Sequence, residues 1–501
     1  MTREINHVIG GTLTKGSPVG VSPIFNPAFG TQIREVPLAS NEDLLATVES
    51  AKSAFPKWAA TPVARRARHM FKLYDLLHAH MDEIATALVE EHGKTFEDAK
   101  GEIMRGIEIV EFAAGMPYHL EGRMSEQVAT GVDQYSVNQP LGVTAGITPF
   151  NFPAMIPLWM LPMSITAGNT FILKPSERDP MVPQIILELV KEAGIPDGVV
   201  NLLHGDKSTV DGLLEHPDVK AISFVGSTAV GRYIHAKGSS HGKRVQAMCG
   251  AKNHMIVLPD ADMDAAADAL LASGFGAAGE RCMAISAAIP VGAETAEALK
   301  ERLIPKVRAL QIGNGMDPAT EMGPVINAAA KERIESYINR GIEEGADLLV
   351  DGRGLSLQGM EAGFFLGGTL FDKVDPSMSI YRDEIFGPVL SMVRQDTYED
   401  AVALATNHAY GNGTALFTRD GGLARRFVNE VQVGMIGINV PIPVPTAWSS
   451  FGGWKDSFFG DIPMYGPDGL KFWIKRKNVM TRWPSTDTRT MNSFNFGAAA
   501  G

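Results

Sequence analysis

The strongest constraint on this chain is a rhythm. Between residues 142 and 261, five short apolar runs alternate with helix-like segments. The runs are GVTAGITPF, TFILKPSE, GVVNLLHG, AISFVGS and HMIVLPDA, and the segments between them include PMVPQIILELVKEAGI and TAVGRYIHAKGSS. Nearly continuous apolar runs suit strands buried on both faces. Strands separated by helices specify a parallel sheet with helical covers. The second half repeats the style, from ADMDAAADALLASGFGAAG through AAIPVGA and TALFTRD to GMIGINV. The expected fold class is therefore α/β, with two such units.

Upstream, residues 41–116 carry helical patterning. NEDLLATVESAKSAF opens on Asn41 and Asp43 in a cap-like start and sets Leu44, Val48 and Ala51 on one face. DQYSVNQPLGV reads as a strand running to a turn at Pro140, and its alternating QYSVN suits a sheet edge that pairs with another subunit. The most apolar stretch, AMIPLWMLPMSITAG, is too short to span a bilayer and is interrupted by Pro157 and Pro162. It reads as a buried segment beneath a site. MTREINHVIGGTL lacks the apolar core of a signal peptide, and the polar tail STDTRTMNSFNFGAAAG reads as a flexible terminus.

A net charge of −12 argues against nucleic acid, which needs a basic footprint. Two cysteines in 501 residues exclude a disulfide framework. A reducing, cytoplasmic location is expected, with no membrane partner and no metal.

Three motifs carry chemistry. AISFVGSTAVG is a strand, a tight turn at Gly226-Ser227-Thr228 and a helix, whose first N–H groups make a pyrophosphate seat. Its glycine spacing is not G-x-G-x-x-G, so a plain strand–turn–helix reads equally well. In LKPSE, Lys174 can donate to ribose hydroxyls and Glu177 can accept from the 2′- and 3′-hydroxyls of adenosine, which favours NAD over NADP. A solvated strand end is the plainer reading, and Arg178 is either adenine-side lining or surface. GAAGERCMAIS places Cys282 after Gly276 and Gly279, which permit close backbone approach. Neighbouring Arg281 and local N–H groups would raise its thiolate fraction.

At this point the chain resembles the aldehyde dehydrogenases. Phe275-x-x-x-Gly279-Glu280-x-Cys282 is similar to their active-site cysteine signature, and TPFNFP (148–153) to the motif carrying an oxyanion-hole asparagine, here Asn151. LKPSE matches their ribose site, and EIFGPV (384–389) their nicotinamide-ribose glutamate, here Glu384. FNFPAMIPLWMLPMSITAGNTFILKPSE, GAKNH, RCMAIS, INVPIPVP and SSFGGWKDSFFGD resemble one subgroup, the coenzyme-A-acylating methylmalonate-semialdehyde dehydrogenases.

The resemblance implies a Rossmann-type NAD-binding domain (1–120 and 142–250), an α/β catalytic domain (251–445) and a β oligomerisation arm (121–141 and 465–501), assembled as a homotetramer. It implies that Cys282 and Asn151 are catalytic. Thr148, Phe150, Lys174, Glu177, Arg178, Ser227, Cys249 and Glu384 would line the NAD site, Cys249 through its backbone. Arg105 and Arg281 would hold the carboxylate of a malonate-type semialdehyde. Taken alone, Arg105 in GEIMRGIEIVEFAAG reads as a helix-surface arginine paired with Glu102 or Glu108.

Coenzyme A is the expected acyl acceptor. Hydrolytic members of the wider family carry a glutamate as base where this chain has Met248, and the subgroup usually has asparagine there. Without a base, water attack loses roughly 10²–10⁴-fold. A thiol is more acidic and more nucleophilic, so it suffers less. Glu280 is an alternative base, which keeps a hydrolytic semialdehyde dehydrogenase open.

Overall fold

The computed structural model describes residues 3–483, so the STDTRTMNSFNFGAAAG tail lies outside the described residues. The apolar runs become two sheets. The first has eight strands. Its parallel core is ordered Val200–Leu202, Thr170–Lys174, Val143–Ile147, Val219–Val225, Arg244–Met248. Chain order therefore reverses between Val143–Ile147 and Val219–Val225. Such a switch point opens a crevice at the carboxyl ends of the strands, where ligands of α/β sheets bind.

The second sheet has seven strands, all parallel except the outer pair Asp347–Val350 and Thr369–Asp372. Its interior strand Asn253–Val257 lies between Ile285–Pro290 and Gly413–Phe417.

A short segment ties the two sheets together. Trp454–Lys455 pairs with Tyr410–Gly411, which immediately precedes the strand Gly413–Phe417 of the second sheet. Three residues later, Phe458–Phe459 adds an antiparallel strand to Arg244–Met248 of the first. Between them, Ser457 accepts from the Cys249 N–H (2.9 Å) through its carbonyl and from the Gly411 N–H (3.1 Å) through its hydroxyl.

A third sheet corrects one expectation. The strand Val132–Pro140 that contains QYSVN is not an edge. It is the middle of three, paired on one side with Met124–Ala129 and along eight residues with Ile474–Thr481. The open edges belong to the outer two strands. Alternation marks a half-buried strand but carries no information about which neighbours it acquires.

The helical stretch 41–116 forms Asn41–Ala59, Val63–Ala79, Met81–His92, Phe96–Ala114 and a last short turn, Met116–His119. The first is capped by Ser40 rather than Asn41. The Ser40 hydroxyl accepts from the Asp43 N–H, and the Asp43 carboxylate accepts from the Ser40 N–H (2.9 Å), a reciprocal capping box. AMIPLWMLPMSITAG becomes the helix Met155–Ala167, in which every residue is buried. Among the described residues, no helix is long and apolar enough to cross a membrane.

That helix has neither a cap side chain of its own nor an acidic first turn. Its orphan N–H groups are satisfied from the helix Phe96–Ala114. Glu102 Oε1 accepts from Ala154 N (2.8 Å) and Met155 N (3.1 Å). Glu102 Oε2 accepts from Lys94 Nζ (2.7 Å), and the same ammonium donates to the Asn151 carbonyl (2.7 Å). Both Lys94 and Glu102 are buried. Breaking such a pair from one side strands a charge. Lys94→Met should therefore destabilise the fold by about 3 kcal/mol in urea unfolding.

Candidate functional site

The loops at the switch point line a cleft of about 830 Å³. Thr148, Phe150 and Asn151 follow the strand Val143–Ile147; Lys174, Glu177 and Arg178 follow Thr170–Lys174; Ser227 follows Val219–Val225. Cys249, Cys282 and Glu384 complete the wall. Ten of the twelve residues singled out from sequence thus share one cavity.

The cleft has the chemistry a dinucleotide needs. Ser227 is the N-cap of the helix Thr228–Ser240, and its side chain makes no capping bond, so the first-turn N–H groups face the cleft unblocked. Lys174 Nζ lies 3.1 Å from Glu177 Oε2, a donor and acceptor side by side at one strand end. The Lys174 ammonium holds the Glu177 carboxyl below its usual range despite burial. The buried Thr148 Oγ1 has no hydrogen-bond partner. Arg178 lies over the Phe150 ring, 4.9 Å from its centroid, so it is part of the lining and not free surface.

Glu384 Oε1 accepts from the Ala251 N–H (2.8 Å), and burial pushes its carboxyl up to about 7. Its loop is held by the buried Lys252, whose Nζ donates to the carbonyls of Ile380 (2.7 Å) and Asp383 (3.0 Å).

Cys249 lines the cleft beside Gly250. Its thiol is turned into the packing, where a Cβ added to Gly231 would lie 2.2 Å from the sulfur, and burial pushes it up to about 12.

Around Cys282 the structure departs from expectation in two ways. Burial, reinforced by the Glu384 charge, pushes the thiol pKa up rather than down. The N–H groups of residues 282 and 283 and the Arg281 charge pull the other way and lose. The glycines, secondly, serve internal packing. A Cβ on Gly276 would lie 2.5 Å from the Arg281 guanidinium, and one on Gly279 would lie 2.3 Å from the Gly387 carbonyl. Ala277, Ala278 and Gly279 all have positive φ (49°, 53° and 71°). This left-handed run, costing about 1 kcal/mol or more at each alanine, directs residue 280 inward and residue 282 towards the cleft.

Glu280 is accordingly buried, its carboxylate bound to the Ile326 N–H (3.2 Å) and pushed up to about 8 by burial. It does not line the cleft. Its carbonyl accepts from Asn151 Nδ2 (3.0 Å), which orients that amide while leaving its second N–H available.

The two arginines stand apart from the cleft. Arg105 bonds Glu108 Oε2 (2.6 Å) and the Pro445 carbonyl (2.6 Å); the Tyr465 hydroxyl donates to the same carbonyl (2.8 Å). Tyr465 also feels the Cys282 charge, and it shares the Pro445 carbonyl with Arg105. Arg281 pairs with Asp98 and lines a separate hollow of about 470 Å³ with Thr95, Phe275 and Gly276.

Sequence reading missed the supports: Lys94 and Glu102 behind Asn151, Lys252 behind Glu384, and Asn253 and Asn412 behind Cys282. Their partners lie up to 131 residues away, and no local pattern announces such bonds.

The aldehyde dehydrogenase family model matches residues 14–479. A malonate-semialdehyde dehydrogenase of Pseudomonas aeruginosa is 52% identical over 98% of this chain and 99% of its own. An acylating, mitochondrial methylmalonate-semialdehyde dehydrogenase of Arabidopsis thaliana is 46% identical over 97% of this chain and 80% of its own. Among solved structures, a Sinorhizobium meliloti protein assigned as a methylmalonate-semialdehyde dehydrogenase, complexed with NAD, superposes with a TM-score of 0.96 at 54% identity, covering 97% and 99% of the two chains.

Because the resting thiol is held neutral, iodoacetamide should modify Cys282 faster as pH rises, by about tenfold per unit between about pH 7 and 9. A flat profile, followed by mass spectrometry of the Cys282 peptide, would instead mean a preformed thiolate.

Proposed function

The chain belongs to the aldehyde dehydrogenase family, and on that premise we propose that it oxidises malonate or methylmalonate semialdehyde with NAD and passes the acyl group to coenzyme A. The observation that carries the acceptor is that neither position 248 nor position 280 offers water a base, while the Glu384 carboxylate on the cleft wall is bound to the Ala251 N–H. Met248 ends its strand as a buried thioether, and the Glu280 carboxylate is turned away and bound to Ile326. Similarity to enzymes named for these substrates supports the semialdehyde.

Cys282 attacks the aldehyde carbon as the thiolate. The oxyanion then meets the free N–H of Asn151 and the Cys282 N–H. Glu384, Lys174 and Glu177 would hold the riboses of NAD and the N–H groups beyond Ser227 its pyrophosphate, and the bound nicotinamide would supply the hydride acceptor. Cys282 is left acylated. Arg105 and Arg281 would take the substrate carboxylate in exchange for Glu108 and Asp98, their partners at rest, a role that favours planar, bidentate guanidinium. That carboxylate lies β to the thioester, so its C–C bond can break to release CO₂. The resulting enolate rests against the same donors and takes a proton. Transfer to the thiol of coenzyme A frees Cys282 and gives acetyl-CoA or propionyl-CoA.

The two free cysteines suit a reducing, cytoplasmic setting. Exposed Met124 and Met480 on the outer strands of the third sheet suit burial between subunits, in keeping with a homotetramer.

Turnover of both semialdehydes with and without coenzyme A, with product identification, tests the reading. Release of free acid at the same rate without coenzyme A would replace it with a hydrolytic enzyme. Cys282→Ala should bind NAD but form no NADH. Arg105→Leu should raise KM for malonate semialdehyde by about 10-fold or more and leave KM for propanal within a factor of about two. Equal effects would make Arg105 structural.

A further inference from the structure

The carbonyl of Cys282 is held in an unusual way. Asn253 Nδ2 donates to it at 2.9 Å and Asn412 Nδ2 at 3.1 Å. Both amides are buried, at 2% and 4% exposure. They come from the starts of adjacent strands. Asn253 begins the interior strand Asn253–Val257 of the second sheet, and Asn412 immediately precedes Gly413–Phe417. A carbonyl oxygen has two lone pairs, and here each can take a side-chain donor.

The accepting carbonyl belongs to the peptide that joins Cys282 to Met283. The N–H at the other end of that peptide acts on the Cys282 sulfur, favouring the thiolate. Hydrogen bonds in series polarise one another, by roughly 10–30% per bond in a low-dielectric interior. Two donors on the C=O therefore make the N–H a better donor to sulfur.

We propose that Asn253 and Asn412 are positioning residues that act through the 282–283 peptide to stabilise the Cys282 thiolate, both when it attacks and when a second thiol displaces it from the acyl group. The second role rests on the acyl-transfer reading above; the first does not. In displacement the S–C bond to Cys282 breaks, its electron pair goes to that sulfur, and the acceptor's thiolate supplies the new bond. A more stable leaving thiolate departs faster. The two amides thus help an enzyme in which positions 248 and 280 offer the cleft no base.

The other groups acting on this sulfur are Glu384, which opposes the thiolate, Arg281, which favours it, and Tyr465, whose hydroxyl is held on the Pro445 carbonyl. The Glu280 carboxylate next in sequence is bound to Ile326. None of these bonds Asn253 or Asn412, so their contributions stay fixed when the amides change.

The test is the pH profile of Cys282 in the full-length protein, without aldehyde or coenzyme A. It is read by iodoacetamide alkylation of the Cys282 peptide and by thiolate absorbance. Asn412→Leu keeps the branched shape of the side chain and removes a donor whose other partner among the described residues is the Met283 sulfur (3.0 Å). The alkylation rate should fall roughly threefold at every pH between about 7 and 9, and thiolate absorbance at the highest pH the fold tolerates should fall in the same proportion. Asn253→Ser should act the same way and carries the test if Asn412→Leu does not fold. Transfer of a preformed acyl group to coenzyme A should slow by about two- to threefold in both variants. Alkylation slowed with thiolate absorbance unchanged, or neither changed, would overturn the proposal and leave the amides as scaffolding. A lowered thiolate absorbance in a protein that makes no acyl-CoA would keep the thiolate role and overturn the transfer role.

Discussion

One buried ammonium organises the catalytic side of this protein. Lys94 Nζ holds the Asn151 carbonyl and the Glu102 carboxylate, and sits 4.4 Å from the centre of the Phe152 ring. Glu102 in turn terminates the helix Met155–Ala167, whose thirteen residues are all buried and supply none of the polar groups its first turn needs. Asn151, the helix behind it and the helix Phe96–Ala114 are thereby fixed by one cation. Asn151 sits in a loop, yet both its carbonyl and its amide are held by hydrogen bonds. For the oxyanion role proposed above this matters, because such stabilisation depends on donors that need not reorganise during the reaction.

The same logic recurs at the sulfur. Burial makes the Cys282 thiolate costly, and the structure answers with backbone N–H groups rather than a paired base. The Ala277-Ala278-Gly279 run aims the residue, and Asn253 and Asn412 hold its carbonyl. Strain in the chain before the nucleophile is balanced by hydrogen bonds behind it.

The order in which information became legible follows the range of the forces involved. Strand–helix alternation is local, and it gave the parallel sheets and the switch-point crevice. The site motifs are also local, and ten of twelve residues converge on the cleft. What escaped depends on distant partners. Asp98 takes Arg281 from 183 residues away, so a cation next to the nucleophile does not simply lower its pKa. Gly276 and Gly279 looked like openings for a ligand but accommodate Arg281 and Gly387. The position of QYSVN depends on Ile474–Thr481, more than three hundred residues later.

The tie formed by residues 454–459 bears on how ligands come and go. Its two strand pairs, one beside each sheet, share a six-residue segment with Ser457 bonded at its centre. Rocking the sheets apart would have to tear one of those ladders. Residues 454–459 are therefore a backbone link between the two sheets, so that a shift on one side of the crevice is passed to the other through Ser457.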